Sequence, residues 1–272
     1  MKIEAKVIAD SLSPTGKRIT TLQLCYPRFI HSELMTHRVF SRNAMSSRAV
    51  PVAKMVEQVR NDPAMPVHWG KNQPGMQARE ALDPDSRAQV MELWRLAAQD
   101  AANFAEAMNR LGAHKQIVNR VLEPFQWMHT VVTATEWDNF FSLRCHPDAQ
   151  PEMQALAYAM RDAMQASVPV QLGEGEWHLP YVSDIDALLF NTGFGEDMRK
   201  VSAARCARVS YLKHDGGSPS NTEDLELFDR LAGSAPIHAS PLEHQAQTAD
   251  ADLRSRNFVG WLQFREAFEG GE

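Results

Sequence analysis

His37-Arg38-Val39-Phe40-Ser41-Arg42-Asn43-Ala44-Met45-Ser46-Ser47-Arg48 is the stretch on which the reading of this chain turns. It gathers three arginines, three serines, a histidine and an asparagine, with no acidic residue, inside a chain of formal net charge -6. Arginine presents a planar fork of donors that fits phosphate oxygens, and serine hydroxyls complete such a cradle. Most charge clusters are solvated surface loops. Here Val39, Phe40 and Met45 interrupt the polar residues, as in a loop partly packed on a core. The preceding Phe29–Met35 reads as a short amphipathic helix, so Arg38 and the serines fall where helix gives way to loop, and Pro51 closes the cluster.

Outward from that stretch, 272 residues with 44% hydrophobic and 23% charged content describe an ordinary globular chain. No segment approaches the roughly 20 apolar residues needed to cross a bilayer. The start, Met1-Lys2-Ile3-Glu4, has no apolar signal core, and the expectation is a cytoplasmic protein. Cys25, Cys145 and Cys206 are odd in number and far apart, which fits a reducing compartment. The acidic balance argues against polynucleotide binding over a broad basic face, while leaving room for a small anion in a focused positive pocket.

Lys2 to Ala9 alternates polar and apolar residues, Ser13-Pro14-Thr15-Gly16 signals a turn, and Arg18 to Tyr26 is β-rich, so the chain opens with a hairpin. From about Arg60 to Asp85, six prolines and glycines in quick succession mark an irregular connection, before a long amphipathic helix from Ser86 to Leu111 closed by Gly112. Its apolar positions are Val90, Leu93, Trp94, Ala97, Ala101, Phe104, Met108 and Leu111. A second helical stretch covers Lys115 to Leu122, and Val131 to Thr135 is a short β-branched strand. Pro151 opens a further helix running to about Ala166, whose Met153, Leu156, Met160 and Met164 share one face and read as core. Val168 to Asp184 is loop-rich, Val201 to Tyr211 helical, His214 to Thr222 a polar turn, and Asp224 to Leu231 helical. The fold expected is α+β, one domain over residues 1–272, with a central twisted sheet flanked by helices.

Several blocks together resemble the flavin-dependent thymidylate synthase family. That family carries Arg-His-Arg, seven residues, then Ser and an Arg two further on; His37-Arg38, Ser46 and Arg48 reproduce the spacing, with Thr36 in place of the first arginine. Arg28 and Glu33 stand where the family has residues facing the nucleotide. Arg120-Val121-Leu122-Glu123-Pro124 resembles its Arg-x-Leu-x-Pro segment, and Asn139 to Arg144 with Ala149-Gln150 its second arginine block. His238-Ala239-Ser240-Pro241-Leu242-Glu243-His244 resembles its flavin-binding His-x-(Thr/Ser)-Pro-x-Glu-His. In the family that last stretch precedes the arginine motif; here it follows by almost 200 residues, as does the related Ala204–Tyr211 segment. A circular permutation accounts for the order and predicts that Met1 lies near the residues just after His244.

The resemblance implies methylation of dUMP at C5 to give dTMP. FAD supplies a hydride, methylenetetrahydrofolate the one-carbon unit and NADPH the reducing equivalents, in a homotetramer that shares its sites between subunits. It places Arg144 against the pyrimidine as the ring-activating residue. Arg28, Glu33, Ser46, Ser47, Arg48 and Arg120 are carried over as nucleotide contacts. The FAD contacts are His37, Arg38, Val39, Asn43, Asn139, His238 and Ser240. No metal is expected, since the two histidines of the C-terminal stretch have no third ligand at a recognisable spacing.

Thr36, Ala44 and Asp148 depart from the family pattern. Arg42 is a candidate to restore the charge absent at Thr36, and the departures leave open a dCMP substrate or a hydroxymethylated product. Two rival readings stand beside these: a Cys145-His146 nucleophilic pair with its thiolate held by Arg144, and a nucleic-acid-binding protein using the Arg38–Arg48 loop.

Overall fold

In this computed structural model, residues 1–183, 186, 195–209 and 220–269 are described. The expected hairpin forms from β1 (Glu4–Leu12) and β2 (Arg18–Pro27), antiparallel, with Gly16 at φ +78° in the turn and the Ser13 hydroxyl accepting from the Lys17 amide. Pro27 ends β2 and the chain enters a 3₁₀ turn (Arg28–Ile30) and the single-turn helix α1 (His31–Leu34). The arginine cluster is not simply loop. Ser41–Ala44 forms a strand, β3, paired antiparallel with β4 (Trp127–Ala134), which also pairs with β2. Small and β-branched residues on β4, Val131, Val132, Thr133 and Ala134, are all buried and suit a strand with neighbours on both edges. The five-stranded sheet runs β3-β4-β2-β1-β5, where β5 is Val170–Gln171.

α2 (Val52–Asn61) follows Pro51, a helix the sequence reading passed over. The irregular connection before α3 (Pro84–Arg110) is as expected, folded back on itself at a Gly70–Ala81 bridge. Asp83 caps α3 through the Ser86 amide and Gly112 closes it at φ +85°. The helix buries only part of the face its apolar spacing suggested: Trp94, Ala101 and Met108 pack on the core in part. Ala98, Ala102 and Ala105 are fully buried against α2 and Val118, Leu122, whereas Leu93, Leu96, Phe104 and Leu111 remain exposed. Alanine lets two helices approach closely, and that ridge wins over the bulkier stripe.

The run from Lys115 is helical only to Val118 (α4) before tightening into a 3₁₀ stretch over Asn119–Phe125 that contains Pro124. α5 (Asp138–Arg144) leads to α6 (Pro151–Ala166), capped by the Gln150 side chain on the Met153 amide. Met153, Leu156, Met160 and Met164 pack on Leu22, Leu24 and Tyr26 of the sheet, so the methionine stripe is core. The segment read as loop-rich contributes β5 and the two-residue β6 (Trp177–His178). α7 (Gly195–Ala207) begins before the Val201 expected, and α8 (Asn221–Ala232) carries a Ser220–Glu223 capping box. Tyr211 and most of the His214–Thr222 turn lie outside the described residues. A second sheet, β10 (Trp261–Gln263), β7 (Ala246–Thr248), β6, and a β8–β9 ribbon (Arg254–Ser255, Phe258–Val259) complete the chain. Among the described residues no helix is long and apolar enough to cross a membrane.

The two sheets are joined by a buried polar chain. Ser11 Oγ lies 2.9 Å from His178 Nδ1, His178 Nε2 2.8 Å from Thr21 Oγ1, Thr21 Oγ1 2.7 Å from Thr133 Oγ1, and Thr133 Oγ1 2.8 Å from His244 Nδ1. This places the segment after His244 at the carboxyl end of β1. Met1 is not near it: its amine pairs with Asp62 beyond the other end of the strand, about 30 Å of β-structure away.

Burial pushes both imidazoles down to about 3. Below the ordinary histidine range the unfolded chain therefore binds protons that the folded chain refuses. Their contribution is whole above pH 6.5 and is lost as pH falls, by up to about 1.4 kcal/mol per pH unit for each histidine. Melting temperature should fall from pH 6.5 toward pH 4, and His244→Gln should make that slope shallower; an unchanged slope would show that His244 is not buried neutral.

Candidate active site

The arginine stretch is held open by its own residues. Arg42 Nη1 donates to the carbonyls of Met35, at 2.7 Å, and His37, at 3.3 Å, and so closes the end of α1. It is spent on backbone and does not supply the charge absent at Thr36, whose hydroxyl donates to the Glu33 carbonyl. With β3 paired to β4, Asn43 points outward, donating from Nδ2 to the Cys206 carbonyl at 2.7 Å and accepting from Ser240 Oγ at 3.3 Å. Residues 197 positions apart in the chain are thus side by side.

The carried-over residues fall around three clefts of one chain. In the first, of about 850 Å³, Arg144 and Glu33 lie opposite His68, Arg79 and Gln150. Arg144 Nε donates to His37 Nε2 at 3.0 Å and its Nη1 lies 3.5 Å from Glu33. Burial, then the charges of Arg144 and Arg42, push His37 down to about 4. A neutral ring with its proton on Nδ1 is the form that accepts from Arg144, and it fixes that guanidinium in place. Asp148, at the position where the family has a histidine, pairs with Arg79 at 2.8 Å instead of with Arg144.

Val39 and Asn139 line a separate cleft of about 700 Å³ with Arg18, Trp137 and Arg161. Arg38 is exposed.

The third cavity, about 750 Å³, brings together Asn43, Ala44, Ser46, Arg48, His238 and Ser240. The sequence reading missed Lys115, Gln116 and Arg230 in its wall, and assigned no ligand to Arg208. Lys115 opens α4 and donates to the Ala49 carbonyl; Arg230 sits in the last turn of α8. Each is a lone cation in its own segment, and only the docking of α8 and α4 beside β3 reveals them as a group. Among the described residues no carboxylate lines this cavity. Arg48, Lys115 and Arg230, beside an Arg208 already paired with buried Asp224, face one concave space and focus a positive potential within an acidic protein.

Ser46, Ser47 and Arg48 do not form a single cradle. Ser46 and Arg48 face the cavity, while Ser47 is buried and donates to Glu123 Oε1 at 3.3 Å. The same oxygen accepts from Arg28 at 2.9 Å and Arg120 at 3.1 Å. The Arg120–Glu123 ion pair that a lone arginine would be expected to make is therefore present, whereas an Arg144–Asp148 pair is not.

The two histidines of the C-terminal stretch part company. His238 is exposed in the cavity wall, and His244 is sealed in the polar chain beneath the sheet. The Cys145-His146 pair is not assembled either. Burial raises the Cys145 thiol above its usual range, Arg161 is the cation that opposes this, and Arg144 is turned toward His37 and Glu33. A thiolate needs a stabilising cation, and Arg144 does not provide it. Cys145 should alkylate with iodoacetamide at pH 8 no faster than free cysteine; a rate above that would restore the nucleophile reading.

The family model described as thymidylate synthase complementing protein matches residues 10–170, more than half of the chain. No curated protein matches the sequence. Among solved structures, the UMP/dUMP methylase PolB from Streptomyces cacaoi bound with 5-Br dUMP is 19% identical, with a TM-score of 0.51 over 60% of this chain and 90% of that one. Thymidylate Synthase X from Helicobacter pylori, solved with FAD and dUMP, is 17% identical, with a TM-score of 0.39 over 54% of this chain and 67% of that one. At such identities the first likeness speaks for the fold, and the family match for descent. The chain therefore belongs to the flavin-dependent thymidylate synthase family and is an enzyme of that type.

Proposed function

We propose that this enzyme methylates C5 of the pyrimidine of dUMP, giving dTMP, with FAD, NADPH and methylenetetrahydrofolate. The observation that carries this reading is the third cavity. It collects Asn43, Ser46, Arg48, His238 and Ser240 from distant parts of the chain and adds Lys115, Arg230 and the Asp224-paired Arg208, with no carboxylate in its wall among the described residues. That donor set fits a dinucleotide pyrophosphate and a nucleotide 5′-phosphate, each of which asks for cations, hydroxyls and amides. Bound there, FAD supplies the hydride that converts the one-carbon unit to methyl.

The chain's own residues bind and polarise. Ser46 and Arg48 hold phosphate, and Asn43, Ser240 and His238 hold the flavin nucleotide. Arg144, immobilised by neutral His37 and by Glu33, stabilises the negative charge that builds on the ring as C5 becomes nucleophilic. The Ser240–Asn43 contact restores in space the neighbourhood that the family has in sequence, although Met1 does not lie beside the residues after His244 as a simple permutation requires.

Within one chain the Arg144 cleft and the Arg48 cavity have no lining residue in common. A second copy that brings its Arg144 cleft to this chain's cavity completes a site, which supports the shared-site homotetramer. The exposed Leu93, Leu96, Phe104 and Leu111 of α3 offer an apolar surface for such contact.

Products from dUMP, UMP and dCMP, analysed by mass spectrometry with all three cofactors present, test the reaction. Thymidylate from dUMP is expected. A hydroxymethylated or cytosine product would keep the site and replace the reaction, and no modified base from any of the three would overturn the reading. Arg144→Ala should lower kcat by roughly 100-fold or more, as loss of a charge-stabilising donor does, whereas Arg48→Ala should act mainly on KM. Phe104→Glu should yield smaller species by light scattering; an unchanged mass would remove α3 from the interface.

A further inference from the structure

Glu123 is absent from every assignment the sequence supports, yet three of the nucleotide contacts converge on it. Its Oε1 accepts from Arg28 Nη2 at 2.9 Å, Arg120 Nη1 at 3.1 Å and Ser47 Oγ at 3.3 Å. Two guanidiniums and a hydroxyl around one anionic oxygen are the donor set of a phosphate monoester. The arrangement is not a loose surface pair. The side chains of Arg28 and Glu123 are 18% and 24% exposed, Ser47 is buried, and Asn119 Nδ2 donates to the carbonyls of Ser47 and Val50 to fix the loop. Arg120, 58% exposed, is the member open to solvent. Ser47 also sits between Ser46 and Arg48, which face the cavity, so the Glu123 seat and the cavity share one turn of backbone.

We propose that Glu123 is a resident anion that sets the affinity of the adjoining cavity for phosphate. A nucleotide phosphate entering at Ser46 and Arg48 competes with this carboxylate for Arg120 and for the charge of Arg28. With Glu123 in place, the two arginines and the carboxylate leave one net positive charge for a phosphate dianion. Without its charge they leave two. Glu123 is thus a specificity-determining residue that weakens phosphate binding and holds the donors ordered while the site is vacant. The proposal rests on the nucleotide reading above for its ligand and on the hydrogen bonds alone for its mechanism.

Glu123→Gln keeps the shape and an acceptor oxygen while removing the charge. By isothermal titration it should bind dUMP and inorganic phosphate each roughly threefold to tenfold more tightly than wild type, the scale of one partly screened charge. Deoxyuridine, lacking the phosphate, should bind both equally. Glu123→Ala, which removes the charge without adding a donor, should show the same direction, and melting curves of both variants guard against misfolding. Equal phosphate affinity in a folded variant overturns the proposal, and so does a parallel loss for dUMP and deoxyuridine, the signature of a mere brace. If wild type binds phosphate but neither dUMP nor deoxyuridine, the pyrimidine reading fails, and the ratio for inorganic phosphate still decides the role of Glu123.

Discussion

The Thr21–Thr133 hydroxyl pair, buried between β2 and β4, is the contact on which the architecture depends. Each threonine takes a second partner from a later part of the chain, His178 for Thr21 and His244 for Thr133. A hydroxyl buried without a partner costs on the order of 1–3 kcal/mol, so the strand pair demands that something polar cover it. Two imidazoles do, and in doing so they dock the small sheet and the 3₁₀ turn Ser240–Glu243 against the large sheet. The reach of Ser240 to Asn43 follows from that docking. Burial enforces the neutral imidazole state, and the neutral state supplies the acceptor nitrogen that such a chain of hydroxyls needs.

Charge is distributed by a related economy. Most arginines near the site are already committed: Arg42 to backbone carbonyls, Arg28 and Arg120 to Glu123, Arg144 to His37 and Glu33, Arg208 to the fully buried Asp224. Commitment fixes geometry, because a guanidinium held at two points loses less freedom when a ligand arrives. The cavity wall is the place where cations outnumber their anions, and it is there that an anionic ligand gains most.

How much of this was legible beforehand divides along physical lines. Local patterns are legible: the hairpin from its alternation and its Ser13–Gly16 turn, α6 from its methionine spacing, α3 from its three-and-four stepping and closing glycine. Motif spacing led to the arginine stretch and to His238–His244. What failed was whatever depends on distant partners. Nothing near Ser41–Ala44 announces a strand, since its partner β4 lies some 90 residues on. The face of α3 was misjudged because alanines pack closely only when a matching helix exists, and α2 had not been recognised. Ser47 shares its residue type with Ser46, although the turn after β3 points it the other way, toward Glu123. Lys115 and Arg230 carry no local signature at all, and only tertiary contact makes them part of a site.

The same distinction bears on Thr36 and Ala44, where the family keeps an arginine and a Glu or Gln. A motif treats those positions as required; the folded chain treats them as two contributions to a local charge balance. Where the residue absent at position 44 is a carboxylate, its loss offsets the loss of a cation at residue 36; where it is an amide, one positive charge is lost. Lys115 and Arg230 add positive charge from other elements, and Glu123 adds negative charge beneath the loop. The sum that a ligand meets is therefore set by the whole neighbourhood. Substitutions that break a motif can preserve a site when the field they maintain is spread over residues that no motif contains.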